Sequence, residues 1–83
     1  MVIGNAIVMP KLGLTMSEGV LSEWVVAVGD KVDAGQILFV VETDKLATEV
    51  EATGPGEILE LIAEAGATYT VGEVIARWSG EVL

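Results

Sequence analysis

The most apolar stretch of the chain, Ile37-Leu38-Phe39-Val40-Val41, runs into a polar tip at Glu42-Thr43-Asp44-Lys45. Beyond the tip, Leu46, Thr48, Val50 and Ala52 alternate with Ala47, Glu49 and Glu51. A period of two marks a strand with one wet face. The pattern predicts a β-hairpin with Asp44 and Lys45 at its tip. The tip lacks the Asn-Gly signature of the commonest two-residue hairpins, which points to a type I turn rather than I′.

The same reading extends to both sides. Ala6-Ile7-Val8-Met9-Pro10 is a short apolar run ended by a proline, which cannot donate to a ladder, and reads as a strand. Residues 11–18 form a loop whose Leu12, Leu14 and Met16 are more apolar than a solvated loop needs, so they are expected to fold back on the core. Residues 19–28 are rich in β-branched positions and read as a strand. Gly29-Asp30 and Ala34-Gly35 are turn signals, and Gly54-Pro55-Gly56 is the strongest breaker.

Residues 57–65, Glu-Ile-Leu-Glu-Leu-Ile-Ala-Glu-Ala, are ambiguous by local pattern. Apolar positions 58, 61, 62 and 65 fit a helical face, and the composition favours a helix. An internal repeat decides otherwise. Displacing the chain by 37 residues superposes Gly19 on Gly56, Gly29 on Gly66 and Gly35 on Gly72, with Leu21 on Ile58 and Trp24 on Leu61. Since Val20 to Val28 is β-rich, its counterpart should also be a strand. Ile7 to Pro10 align with Glu49 to Ala52 at a displacement of 42, leaving five extra residues in the loop 11–18. Each half is then one supersecondary unit, and the two pack face to face. The expected fold is all-β: a flattened barrel or sandwich of two four-stranded antiparallel sheets related by a pseudo-twofold axis. Under that symmetry the hairpin 42–49 and the chain ends lie at opposite poles.

Composition narrows the chemistry. With no cysteine and no histidine, disulfides, thiol nucleophiles, Cys/His zinc sites and histidine-based triads are excluded. Thirteen acidic residues against four basic ones give a net charge of −9, which repels nucleic acid and anionic lipid. The carboxylates are scattered, without the spacing of a calcium loop, so neither a metal site nor catalysis is expected. Apolar runs stop at five residues, as at Trp24 to Val28, against the roughly 20 of a membrane span. Met1-Val2-Ile3-Gly4-Asn5 has no basic residue before an apolar segment, so no signal peptide is expected. The expectation is a soluble, cytoplasmic, monomeric domain over residues 1–79, with 80–83 a tail or the start of a linker.

Of the three lysines, Lys11 and Lys31 read as solvated charges, and an exposed tip lysine such as Lys45 is by itself ordinary too. The order of short motifs changes this. Met9-Pro10-Lys11-Leu12-Gly13, Glu18-Gly19, Val28-Gly29-Asp30-Lys31-Val32, Gly35-Gln36 and Glu42-Thr43-Asp44-Lys45, followed by Gly54, Gly56 and Gly72, resemble a lipoyl domain. These are the swinging-arm carriers of 2-oxoacid or acetoin dehydrogenase complexes. The resemblance covers residues 6–79 and implies a barrel-sandwich hybrid of two four-stranded sheets with the modified lysine on a hairpin turn.

The resemblance implies lipoic acid in amide linkage to Lys45, with Asp44 shaping the turn and aiding recognition. Glu42, Leu46, Gly13, Leu14, Thr15 and Glu49 are the candidates for partner recognition. A free lysine amine, with pKa about 10.4, is mostly a poor nucleophile at neutral pH, so a lipoate-attaching enzyme must supply an activated acyl group. The implied partners after that are a thiamine-dependent decarboxylase, an acyltransferase core and a flavin-dependent dihydrolipoyl dehydrogenase. The domain itself catalyses none of their steps. Two alternatives share the fold: a biotin carrier, whose lysine usually stands between methionines rather than Asp44 and Leu46, and an unmodified structural module. Leu46 also departs from the small residue that commonly follows a lipoyl lysine.

Overall fold

A computed structural model describes residues 4–13, 16–44 and 46–80. Eight strands follow one another: β1 Asn5–Val8, β2 Glu18–Trp24, β3 Lys31–Val32, β4 Ile37–Glu42, β5 Ala47–Glu51, β6 Gly56–Leu61, β7 Thr68–Thr70 and β8 Val74–Trp78. No helix occurs among the described residues. The strands form two four-stranded sheets, ordered β1-β8-β6-β3 and β5-β4-β2-β7, and every strand pair is antiparallel. The arrangement is a sandwich rather than a closed barrel. Between the sheets lie Trp78, Phe39, Ile7, Met9, Leu21, Leu38, Ile58 and Ile75, all essentially without solvent exposure.

The repeat is visible atom by atom. Gly29 and Gly66 have φ of 93° and 92°, and Gly35 and Gly72 have 87° and 89°. That region is open to glycine at little steric cost. Gly29 N–H donates to Ile58 O at 2.8 Å, and Gly66 N–H donates to Leu21 O at 2.6 Å. Each bond is the other with the two halves exchanged. The segments after β2 and β6 therefore cross between the sheets, so that β3 pairs with β6 and β7 with β2.

Two expectations need correction. The strand expected over 19–28 ends at Trp24, because the chain must leave its sheet to cross; Val25 and Val28 are exposed. The displacement that relates β1 to β5 is 43, not 42: Met9 N–H bonds Glu73 O and Ala52 N–H bonds Gln36 O, which makes Met9 the counterpart of Ala52. Face parity explains the difference. A one-residue slip turns every side chain of a strand over, and at 42 the buried Ile7 and Met9 would match the exposed Glu49 and Glu51. At 43 they match Val50 and Ala52, which face the core. The first half's loop is thus six residues longer than its counterpart. β8 and β1, the last and first strands, pair on one sheet as β4 and β5 do on the other. Asn5 Nδ2 donates to Gly80 O at 2.6 Å, joining the start of β1 to the residue two past β8.

The strand assigned to 57–65 against its helical pattern is present as Gly56–Leu61. Its apolar spacing of three has a local cause. Leu59 is the extra residue of a β-bulge between Ile58 and Glu60, just as Ser22 is between Leu21 and Glu23. An inserted residue resets the alternation, so Leu21 with Trp24, and Ile58 with Leu61, face the core from three positions apart. A second pair of bulges, at Leu38 on β4 and Ile75 on β8, puts Leu38-Phe39 and Ile75-Ala76 inward as adjacent buried pairs.

Candidate functional site

The hairpin stands on the most buried strand of its sheet. β4 lies between β2 and β5 and sets Leu38, Phe39 and Val41 in the core. Its register with β5 runs through Val41 opposite Thr48 and Glu42 opposite Ala47. One further bond closes the tip, from Thr43 N–H to Leu46 O at 2.8 Å. Only Asp44 and Lys45 remain beyond it. Asp44 has no positive φ, which excludes the primed hairpin turns, since both need one at their first central residue. Lys45 lies outside the described residues. Both flanks are exposed, Leu46 by 66%.

The loop between β1 and β2 faces this tip. It is pinned at one end by Met9, which bonds Glu73 O and Gly72 N–H, and at the other by Ser17, whose carbonyl accepts from Val71 N–H at 3.0 Å. Met16 N–H donates to Gly13 O at 3.2 Å, and Leu12 N–H contacts Met16 Sδ at 3.2 Å. Met16 packs against the core, as expected of the loop's apolar residues, whereas Leu12 stays 40% exposed. Leu14 and Thr15 lie outside the described residues.

Loop and hairpin enclose an open groove. Leu12, Gly13 and Met16 line one side, and Thr43, Asp44 and Leu46 the other. Glu18 and Glu42 add carboxylates to Asp44, and no lysine or arginine is among the described lining residues. Glu42 is held by Ser22 on the neighbouring strand, whose hydroxyl donates to its Oε1 at 3.1 Å. Of the recognition candidates read from the sequence, Gly13, Glu42 and Leu46 share the groove. Glu49, exposed on β5, is not part of it. Sequence reasoning passed over Ser17, Val20, Thr48 and Thr68, which complete the lining and carry no motif.

Residues 5–78 of this sandwich match the Biotin_lipoyl family model, described as "Biotin-requiring enzyme". The chain belongs to this family. Among curated members, it is 44% identical over 69 residues to the dihydrolipoyllysine-residue acetyltransferase component of the pyruvate dehydrogenase complex of Corynebacterium glutamicum. It is 45% identical over 69 residues to the lipoamide acyltransferase component of the branched-chain alpha-keto acid dehydrogenase complex of Bacillus subtilis. The matches take in 83% of this chain but only 10% and 16% of those proteins. A solved member, the lipoyl domain of the 2-oxoglutarate dehydrogenase complex of Azotobacter vinelandii, superposes with a TM-score of 0.72 at 26% identity. That superposition covers 90% of this chain and 98% of the other, so the whole described sandwich is the Biotin_lipoyl fold.

Proposed function

We propose that this chain is a lipoyl carrier domain, with lipoic acid joined by an amide to Lys45, serving a 2-oxoacid dehydrogenase-type complex. The observation that carries the reading is the position of Lys45: one of two residues beyond the last bond of a hairpin in a Biotin_lipoyl fold, between exposed neighbours. The flanks favour lipoate over biotin, since Asp44 and Leu46 stand where a biotin carrier usually has methionines. An exposed tip suits an acceptor that must enter a modifying enzyme and then several active sites.

When bound, lipoic acid supplies a dithiolane that is reduced, acylated and reoxidised. The chain supplies presentation. β4 and β5 pair up to the two-residue tip that contains the acceptor. Thr43 closes the ladder beneath it, and the carboxylates of Glu18, Glu42 and Asp44 give the surroundings one sign of charge. Such a field steers partners with basic surfaces. The partners under this reading are a lipoate-attaching enzyme, a thiamine-dependent decarboxylase, an acyltransferase core and a flavin-dependent dihydrolipoyl dehydrogenase. Flexible tethering near them would keep the carrier at an effective concentration on the order of mM.

Intact mass tests the reading. The chain is produced with both lipoate and biotin available and their ligases present. A lipoyl mass that disappears in Lys45→Ala supports it. A biotinyl mass replaces it with the biotin alternative, and an unmodified chain beside a lipoylated control domain rejects both.

A further inference from the structure

Of the large hydrophobic residues that the described surface leaves exposed, Leu46, at 66%, is the most open, and Leu12, at 40%, stands across the groove from it. Exposed leucines are common singly and need no explanation. These two line one concavity, with half-buried Met16 between loop and core and its Cε at the backbone of Gly19. Lys45 is joined directly to two lining residues, Asp44 and Leu46.

The character of the Lys45 side chain decides which part of this groove it prefers. As a free ammonium it is attracted to the rim carboxylates of Glu18, Glu42 and Asp44. As a neutral amide extended by a hydrocarbon chain and a dithiolane, it loses that attraction and gains apolar surface. The groove offers a partner for each state: an acidic rim and an apolar wall. Resting on the wall costs little ordering of the protein, because Met9 and Ser17 already pin the loop at both ends.

Resting on the lipoyl reading, we propose that Leu12, Met16 and Leu46 form an apolar shelf on which the lipoylated Lys45 side chain lies between visits to partner enzymes. Covering about one to one and a half methylenes' worth of apolar surface stabilises a contact enough to slow attack on the dithiolane on the order of three- to tenfold. Leu46 is then a positioning residue for the arm.

The test uses the domain with lipoylation verified by intact mass, carrying carbon-13 in its leucine and methionine methyl groups. The expected result is a shift of the Leu12, Met16 and Leu46 methyl resonances on lipoylation, with nuclear Overhauser contacts to the arm. Reduction of the dithiolane by a water-soluble phosphine should be three- to tenfold slower than for free lipoamide. Leu46→Ser and Leu12→Ser, both at exposed positions, should remove the contacts and restore the faster rate, while Leu46→Met keeps the slower one. Unchanged methyl resonances on a fully lipoylated domain, or equal rates in wild type and the serine variants, overturn the shelf and leave the carrier reading intact. Failure to acquire a lipoyl mass removes both.

Discussion

Met16 rests its terminal methyl over Gly19. A β-carbon at position 19 would stand 2.7 Å from Met16 Cε and 2.8 Å from Val41 Cγ1. The counterpart on the other sheet is Gly56, where a β-carbon would meet Trp78 Cε3 at 2.7 Å. One sheet thus fills the space with an indole, and the other with a smaller valine and a methionine from the loop. Gly19→Ala should therefore cost about 1–3 kcal/mol through overpacking. It should also displace the loop, read as a lower thermal midpoint together with shifted Leu12 and Met16 resonances. An unchanged midpoint would mean that the loop is not seated at Gly19.

Gly29 and Gly66 present a different constraint. A β-carbon at either meets nothing within 4 Å, so only the positive φ matters. Gly66→Ala should cost about 1–2 kcal/mol, from backbone strain alone. D-Alanine introduced at 66 by chemical synthesis should be neutral or stabilise by up to about 1 kcal/mol, since it prefers that φ and restricts the unfolded chain. Denaturant midpoints of the two variants decide it, and equal losses would point to a steric cause.

Trp24 joins the crossover after β6 to the core. Its indole N–H donates to Ala63 O at 2.9 Å, and its ring meets Phe39 edge-on with centroids 5.2 Å apart. Trp24→Phe keeps an aromatic ring but removes the donor. Urea titration should show a loss of about 1–3 kcal/mol, the range for leaving a partly buried acceptor without its partner. A loss within about 0.5 kcal/mol, the level of an ordinary surface change, would show that water replaces the indole.

Neutralising the rim with Glu18→Gln, Glu42→Gln and Asp44→Asn should leave stability within about 1 kcal/mol, because all three residues are exposed. The same triple variant should associate more slowly with the lipoate-attaching enzyme at low ionic strength and show a flatter salt dependence. Stopped-flow association rates at two salt concentrations measure this. Identical slopes for variant and wild type would exclude steering by these carboxylates.

The residues that disclosed the fold were those whose role does not depend on partners across the sandwich. Paired glycines at positive φ have to sit at equivalent turns, so the displacement of 37 could be read from the chain and carried the strand at 56–61 over its helical pattern. The displacement of 42 for β1 and β5 is one residue short because a four-residue match carries little signal of face: it sets buried Ile7 against Glu49, whereas 43 sets it against Val50. The end of β2 at Trp24 was hidden because Val25 to Val28 keep a β-rich composition while crossing between sheets. At the site, Leu46 and Gly13 were named from motif positions. Val20, Thr48 and Thr68 join them through sheet pairing, which no local spacing records.

The bulge at Leu38 sets a count. Because one extra residue is locked into β4 there, with Ile37 opposite Glu51 and Phe39 opposite Val50, the hairpin cannot slide without turning Val50 outward and Glu49 inward. The distance along the chain from Leu38 to the tip is therefore metered by the core. An insertion or deletion between Leu38 and Thr43 would not lengthen the hairpin. It would deliver a different residue to the apex, so this stretch can vary in side chain but not in length if a lysine is to stand there.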